Sequence, residues 1–167
     1  MRIAIGCDHR GLDLKQFVIK LITGAKHSHE DFGCYTDDPV DYPDIAQKVA
    51  AAVAKDDFER GILICNSGIG MSIAANKVKG IRAALCRDAL SASWARQHND
   101  ANILCLGTLD GEDPIPEIVN TFLTTEFEDD RHQRRIDKIR AMESYSDQRS
   151  PKSLLINEIS LRLLDNT

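Results

Sequence analysis

In the segment GILICNSGIG (residues 61–70) a cysteine closes an apolar run, and two glycines follow within five residues. A loop that runs straight into a helix would put the Cys65 thiol near a helix N-terminus, where the field favours thiolate and lowers the thiol pKa. Glycines at such a loop let successive backbone N–H groups converge on an anion. A thiolate base beside that nest can remove a proton next to a carbonyl and hold the resulting enediolate. A small buried thiol that merely ends a core strand is the other reading, and the local pattern leaves both open.

Two better-known loops are excluded by position. A dinucleotide fingerprint needs a third glycine where Ile73 stands after Gly68 and Gly70. A cysteine phosphatase loop needs an arginine six residues after the cysteine, and Met71 stands there, which removes the anion-binding side chain.

Other chemistry-bearing residues cluster elsewhere. Asp8 and His9 follow the apolar run RIAIGC, and an adjacent acid and histidine cost stability unless paired or used. His98, Asn99 and Asp100 follow a helical stretch. An imidazole there can move a proton to or from a sugar oxygen near neutral pH, or simply stabilise a helix C-terminus. In DDRHQRRIDKIR, Arg131 and Arg135 are four apart and share one helix face. Two guanidinium groups on one face suit a phosphate dianion, whereas most basic runs are solvated faces with acidic neighbours. His27 and His29 read as surface residues.

These residues need a frame to position them. With 167 residues the chain suits one full hydrophobic core, and its apolar and charged fractions (43% and 28%) are ordinary for a globular domain. The net charge of -5 with no basic block excludes nucleic acid as the main partner. No apolar run reaches the roughly 20 residues of a membrane span. The first apolar stretch turns polar after five residues, too short for a secretory signal, and reads as a strand. Five cysteines, an odd count without a CxxC pair, argue against disulfides or a zinc cluster and for free thiols in a reducing cytoplasm.

Short apolar runs (RIAIGC, the weaker SHEDFG, GILIC, IRAALC and NILCLG) alternate with helical patterns. The helices are expected near residues 12–22, from Pro43 onward, over 70–78, 89–97, 116–123 and 131–143. The alternation predicts an α/β fold: a three-layer α/β/α domain with a five-stranded parallel sheet. Ligands in such sheets bind beyond the strand C-terminal ends, so the loops after the first and third strands should share one cleft. The domain is expected over residues 1–147. Residues 148–167 read as a polar linker and a helix-like tail.

Taken together, GCDHRG, DYPD, GILIC-x-x-GIGMSIAANKV-x-GIRAALC, ARQHNDAN and RHQRR resemble the ribose-5-phosphate isomerase B family, which includes galactose- and allose-6-phosphate isomerases. The resemblance spans residues 1–146, in the family's order. It implies a Rossmann-like fold and interconversion of D-ribose 5-phosphate and D-ribulose 5-phosphate in the pentose phosphate pathway. It implies homodimers or homotetramers with shared active sites, and neither metal nor organic cofactor. By position it makes Cys65 the base between C1 and C2, and His98 of a neighbouring subunit the opener of the furanose ring, with Asp8 close by. Ser67 takes the place of a threonine that shuttles the hydroxyl proton. The backbone of Asn66, Gly68, Ile69 and Gly70 forms the anion hole, Asn99 touches the sugar and Tyr42 lines the site. His9, Arg131 and Arg135 take phosphate-side positions.

The chain departs from the family at three places. Asn66 replaces a glycine. Leu109 lies in a shortened loop where the family often has a phosphate-binding arginine. Asp129-Asp130 replace two glycines before the Arg-His pair. These departures keep two other readings in view: a hexose-6-phosphate (allose or galactose) isomerase, and a non-catalytic sugar-phosphate-binding paralogue.

Overall fold

The structure, a computed structural model, describes residues 1–148. The chain divides into two units, Met1–Asp129 and a second that begins at Asp130. In the first unit the order is β1 (Arg2–Cys7), α1 (Leu12–Gly24), β2 (Ser28–Asp31), α2 (Tyr42–Ala54), β3 (Arg60–Cys65), α3 (Ile69–Ala75), β4 (Ala83–Leu85), α4 (Ala89–Asn99) and β5 (Ile103–Gly107). A 3-10 turn (Thr108–Asp110) and α5 (Ile115–Thr124) complete it. The second unit is described through α6 (Gln133–Gln148). That helix runs five residues past the expected end at 143, to Gln148. The expected tail helix lies outside the described residues. None of the described helices is long and apolar enough to cross a membrane.

All five strands are parallel, in the order β2-β1-β3-β5-β4. Their alternating residues feed two cores. Ile62 and Ile64 join Val18 and Ile22 of α1, Ala92 and Ala95 of α4 and Phe122 of α5. Leu63 and Cys65 join Ile45 and Val49 of α2 and Met71 and Ala75 of α3. Strands buried on both faces have no polar side, which is why they read as continuous apolar runs. This is the expected three-layer Rossmann-like domain.

The chain passes from β1 outward to β2 and then back to β3 on the other side. The crevice between the ends of β1 and β3 is therefore the topological switch point. Cys7 pairs with Ile64, and the Asp8 N–H donates to the Ile64 carbonyl at 3.1 Å, so Asp8 emerges beside Cys65.

One buried charge ties the irregular segment after β2 to this frame. Lys15 of α1 is fully buried, and its ammonium lies 2.7 Å from Asp31 Oδ2 while also donating to the Cys34 carbonyl. Asp31 in turn accepts the Gly33 N–H at 2.9 Å. Removing one partner of a buried pair leaves the other charge uncompensated. Lys15→Met is therefore expected to lose about 3–5 kcal/mol of stability, read as a lower urea midpoint at unchanged slope. Lys15→Met/Asp31→Asn should recover part of that loss, because a neutral amide needs no counter-charge. An unchanged midpoint for the single variant would show that the pair is not what holds the segment.

Candidate active site

Cys65 ends β3 with its side chain 5% exposed, and its sulfur accepts the Gly68 N–H at 3.1 Å. Three of the other four buried cysteines carry a shifted thiol. Burial pushes Cys7 up to about 12, Cys86 to about 11 and Cys105 well above the ordinary range, which marks these three as packing thiols. The Ser67 hydroxyl accepts the Ile69 N–H at 3.4 Å, so thiol, hydroxyl and loop amides are interleaved within five residues.

The glycines of this loop have separate reasons. Gly68 sits at φ +73, and a Cβ there would lie 2.5 Å from Leu85 Cδ1 and 3.1 Å from the Leu106 carbonyl carbon. Gly70 lies under the Tyr42 ring: a Cβ there would come 2.6 Å from Tyr42 Cζ. Tyr42 begins α2 and is 40% exposed, so its ring covers the start of α3 from outside.

Asp8 is 7% exposed, and its Oδ1 accepts the N–H groups of Arg10 (2.9 Å) and Gly11 (3.2 Å). His9 accepts the Val40 N–H through Nδ1 at 3.3 Å. An accepting Nδ1 carries no proton, so His9 presents an Nε2–H donor. The segment that Lys15 anchors thus leads to a residue that fixes the His9 tautomer.

Two departures from the family pattern meet here. The Asn66 side-chain oxygen receives the Thr108 hydroxyl at 3.3 Å, and its carbonyl receives the Leu109 N–H at 3.1 Å. The extra side chain is thereby held against the 3-10 turn. Leu109 itself is 71% exposed, and Asp110 lies 3.6 Å from the Arg87 guanidinium.

His98 and Asn99 are elsewhere. They end α4, which begins after β4 and runs back to the opposite edge of the sheet. The next residues bond to groups at the strand N-terminal ends: Asp100 to Arg82 at 2.7 Å, and Asn102 to the Arg82 N–H at 2.9 Å. A five-residue strand spans about 17 Å. Cys65, Ser67, Asp8, His9 and Tyr42 are thus together, while His98 and Asn99 of the same chain stand a strand length away. Trp94 stacks on His98 with ring centres 6.0 Å apart.

In the second unit, Arg131 sits in the turn before α6 rather than on its face, which corrects the expected shared helix face. The two arginines still converge: Arg131 Nε donates to His132 Nε2 at 3.3 Å, and Arg135 Nη1 lies 3.5 Å from His132 Nδ1. The sequence reading passed over His132. Its place between two arginines was the signal that could have found it.

The crowding at Gly68 gives a paired test. Gly80 has a similar φ of +82 with nothing within 4 Å of a Cβ. Gly80→Ala should lose roughly 1 kcal/mol, the backbone cost alone. Gly68→Ala should lose about 2–4 kcal/mol, since overpacking adds to it. Equal shifts in denaturant midpoint would mean that the loop relaxes freely around an added methyl.

Comparison with known proteins identifies the family. The model of the Ribose/Galactose Isomerase family matches residues 3–139. The chain is 45% identical to Ribose-5-P isomerase B of Listeria innocua over 138 residues, covering 82% of this chain and 93% of that protein. It superimposes on ribose-5-phosphate isomerase B of Clostridium thermocellum with a TM-score of 0.86 at 46% identity, covering 87% of this chain and 99% of that one. It also superimposes on the Mycoplasma genitalium enzyme with bound ribulose-5-phosphate, with a TM-score of 0.82 at 45% identity, covering 86% and 96% of the two chains. The chain belongs to the ribose/galactose isomerase family.

Proposed function

We propose that the chain is a ribose-5-phosphate isomerase that works in sites shared between two copies. The observation that carries this reading is the Cys65 thiol, seated against the Gly68 amide at the switch point, with Asp8 emerging from the adjacent strand and Tyr42 over Gly70. The relatives named above support ribose 5-phosphate over a hexose phosphate, and one of them holds ribulose-5-phosphate.

The steps follow from the groups. In the cyclic aldose the C1–O4 bond breaks and its electron pair goes to O4, which takes a proton. The O1 proton departs and the C1 carbonyl forms. His98 of the neighbouring copy carries these protons, with Asp8 close by. The Cys65 thiolate then takes the C2 proton. The cis-enediolate spreads its charge onto O1 and O2, where the backbone of residues 66–70 can donate to it. The Ser67 hydroxyl moves a proton from O2 to O1, and the Cys65 thiol returns its proton to C1. Asn99 touches the sugar from the partner's side. His9, Arg131 and Arg135 hold the phosphate, so that binding a remote group fixes C1 and C2 against the thiolate.

A shared site is the simplest way to unite groups that lie at opposite sheet edges of one chain, so at least a dimer is required. Five free thiols suit a reducing cytoplasm.

Wild type should form ribulose 5-phosphate from ribose 5-phosphate without added metal. Cys65→Ala should lose at least about 10³-fold in kcat, as expected for a missing proton-transfer base. Turnover that survives the substitution would make Cys65 a packing residue. Complementation tests the sharing. Cys65→Ala and His98→Asn chains, each nearly inactive, should recover about a quarter of wild-type activity when co-refolded in equal amounts, because half the dimers are mixed and each has one complete site. No recovery would mean that both residues serve within one chain.

A further inference from the structure

The turn after α4 has a backbone that its side chain does not favour. Asp100 occupies φ 44 and ψ 45, the left-handed region. Its N–H bonds the Arg96 carbonyl at 3.0 Å, and the Ala101 N–H bonds the Ala95 carbonyl at 2.9 Å. The first of these bonds is the helix C-terminal motif in which glycine normally takes the left-handed position. An aspartate there is strained, and such strain persists only where the surroundings impose it.

Here they do. Arg82 donates to Asp100 Oδ2 at 2.7 Å, to the Asp100 carbonyl at 2.7 Å and to the Asn99 carbonyl at 2.9 Å. From the other side Arg96, 2% exposed, donates to Asp100 Oδ1 and to the Ala101 carbonyl at 2.8 and 2.7 Å. Asn102 in turn holds the backbone before Arg82, receiving the Arg82 N–H and donating to the Gly80 carbonyl, both at 2.9 Å. Glycine would close the helix without any of these bonds. What the carboxylate adds is a fixed orientation for the last turn of α4.

That turn carries His98 and Asn99. We propose that Asp100, clamped between Arg82 and Arg96, is a positioning residue that aims His98 and Asn99 at the sugar ring bound in the neighbouring copy. The proposal rests on the isomerase reading above. A group that works across a subunit boundary accumulates the positional error of the interface as well as its own. A misplacement of about 1 Å is enough to lose on the order of 100-fold in rate. A rigid turn removes one source of that error.

The two directions of the reaction separate this role from a general loss of structure. Ribose 5-phosphate is mostly a closed furanose and must be opened. Ribulose 5-phosphate has its C5 oxygen esterified, cannot close a five-membered ring, and reaches the enediolate without ring chemistry. Turnover of ribose 5-phosphate therefore needs His98. Solvent-deuterium exchange into C1 of ribulose 5-phosphate uses Cys65, its loop and the phosphate contacts, and it skips the ring-opening step that His98 serves.

The experiment measures both in wild type, Asp100→Asn and Arg82→Lys, with melting curves and sedimentation as controls for folding and assembly. Asparagine tolerates the left-handed backbone but loses the charge. Lysine keeps a charge but cannot grip a carboxylate and two carbonyls at once. Each variant should lose on the order of 10- to 100-fold in kcat for ribose 5-phosphate while keeping exchange within about 2-fold of wild type. Parallel loss of both activities, or loss of neither, overturns the proposal. If Asp100→Asn does not fold, Arg82→Lys decides by the same criteria. A wild-type chain that neither turns over nor exchanges overturns the isomerase reading itself, and the proposal with it.

Discussion

A parallel sheet sends every strand to the same edge, and every helix back to the other. That constraint governs the rest of this molecule. Residues that follow strands, such as Asp8 after β1 and Cys65 at the end of β3, arrive together at one edge. Tyr42, which opens α2, arrives there too and packs on Gly70. Residues that end helices arrive at the other edge, so His98 and Asn99 at the end of α4 are separated from Cys65 by the length of the sheet. No side-chain rotation spans that distance. A chemistry that needs both sets must use a second copy, and under the proposed function homo-oligomerisation would be part of the catalytic design rather than an addition to it.

Close packing at the switch point has its own demands. The loop after β3 fits because three of its contacts have no room for a Cβ. Gly68 meets Leu85 and Leu106, Gly70 meets Tyr42, and Gly107 of β5 lies against the backbone of Ser67. The loop proposed as an anion seat is thus walled by neighbours that also fix its backbone, which is the preorganisation that electrostatic stabilisation requires. Asn66 fits into the same scheme. Its side chain bonds Thr108, so a residue that would crowd the seat is drawn toward the 3-10 turn instead.

Much of the fold was legible in the sequence because doubly buried strands leave an unmistakable trace. GILIC and NILCLG have no polar face to conceal, and helical periodicity separates them. Helix ends were less legible. Arg131 precedes α6 instead of lying on it, and α6 runs five residues past the expected end at 143. Composition reports solvation, and an exposed helix is as polar as a linker. Within the candidate site, the placing of Cys65 at a strand end beside a glycine-rich turn was legible in the sequence. The contact of Asn66 with Thr108 was not, since the two lie 42 positions apart and neither carries a pattern. His132 was overlooked because a single histidine among arginines looks like surface, and only the fold shows both guanidinium groups turned to its ring.

The buried charges follow a rule that joins these points. Lys15 with Asp31, and Asp100 with Arg82 and Arg96, are placed where the backbone leaves regular structure. Apolar packing cannot define such segments, because irregular backbone offers unpaired carbonyls and few side chains to interdigitate. A buried ion pair contributes little net stability but accepts few alternative geometries. Each pair also bonds main-chain carbonyls: Lys15 that of Cys34, Arg82 those of Asn99 and Asp100, and Arg96 that of Ala101. One cluster stands behind the segment that reaches His9, and the other behind the turn that carries His98. The α/β frame holds Cys65 by hydrophobic packing. The irregular segments that lead to His9 and His98 are held by charge.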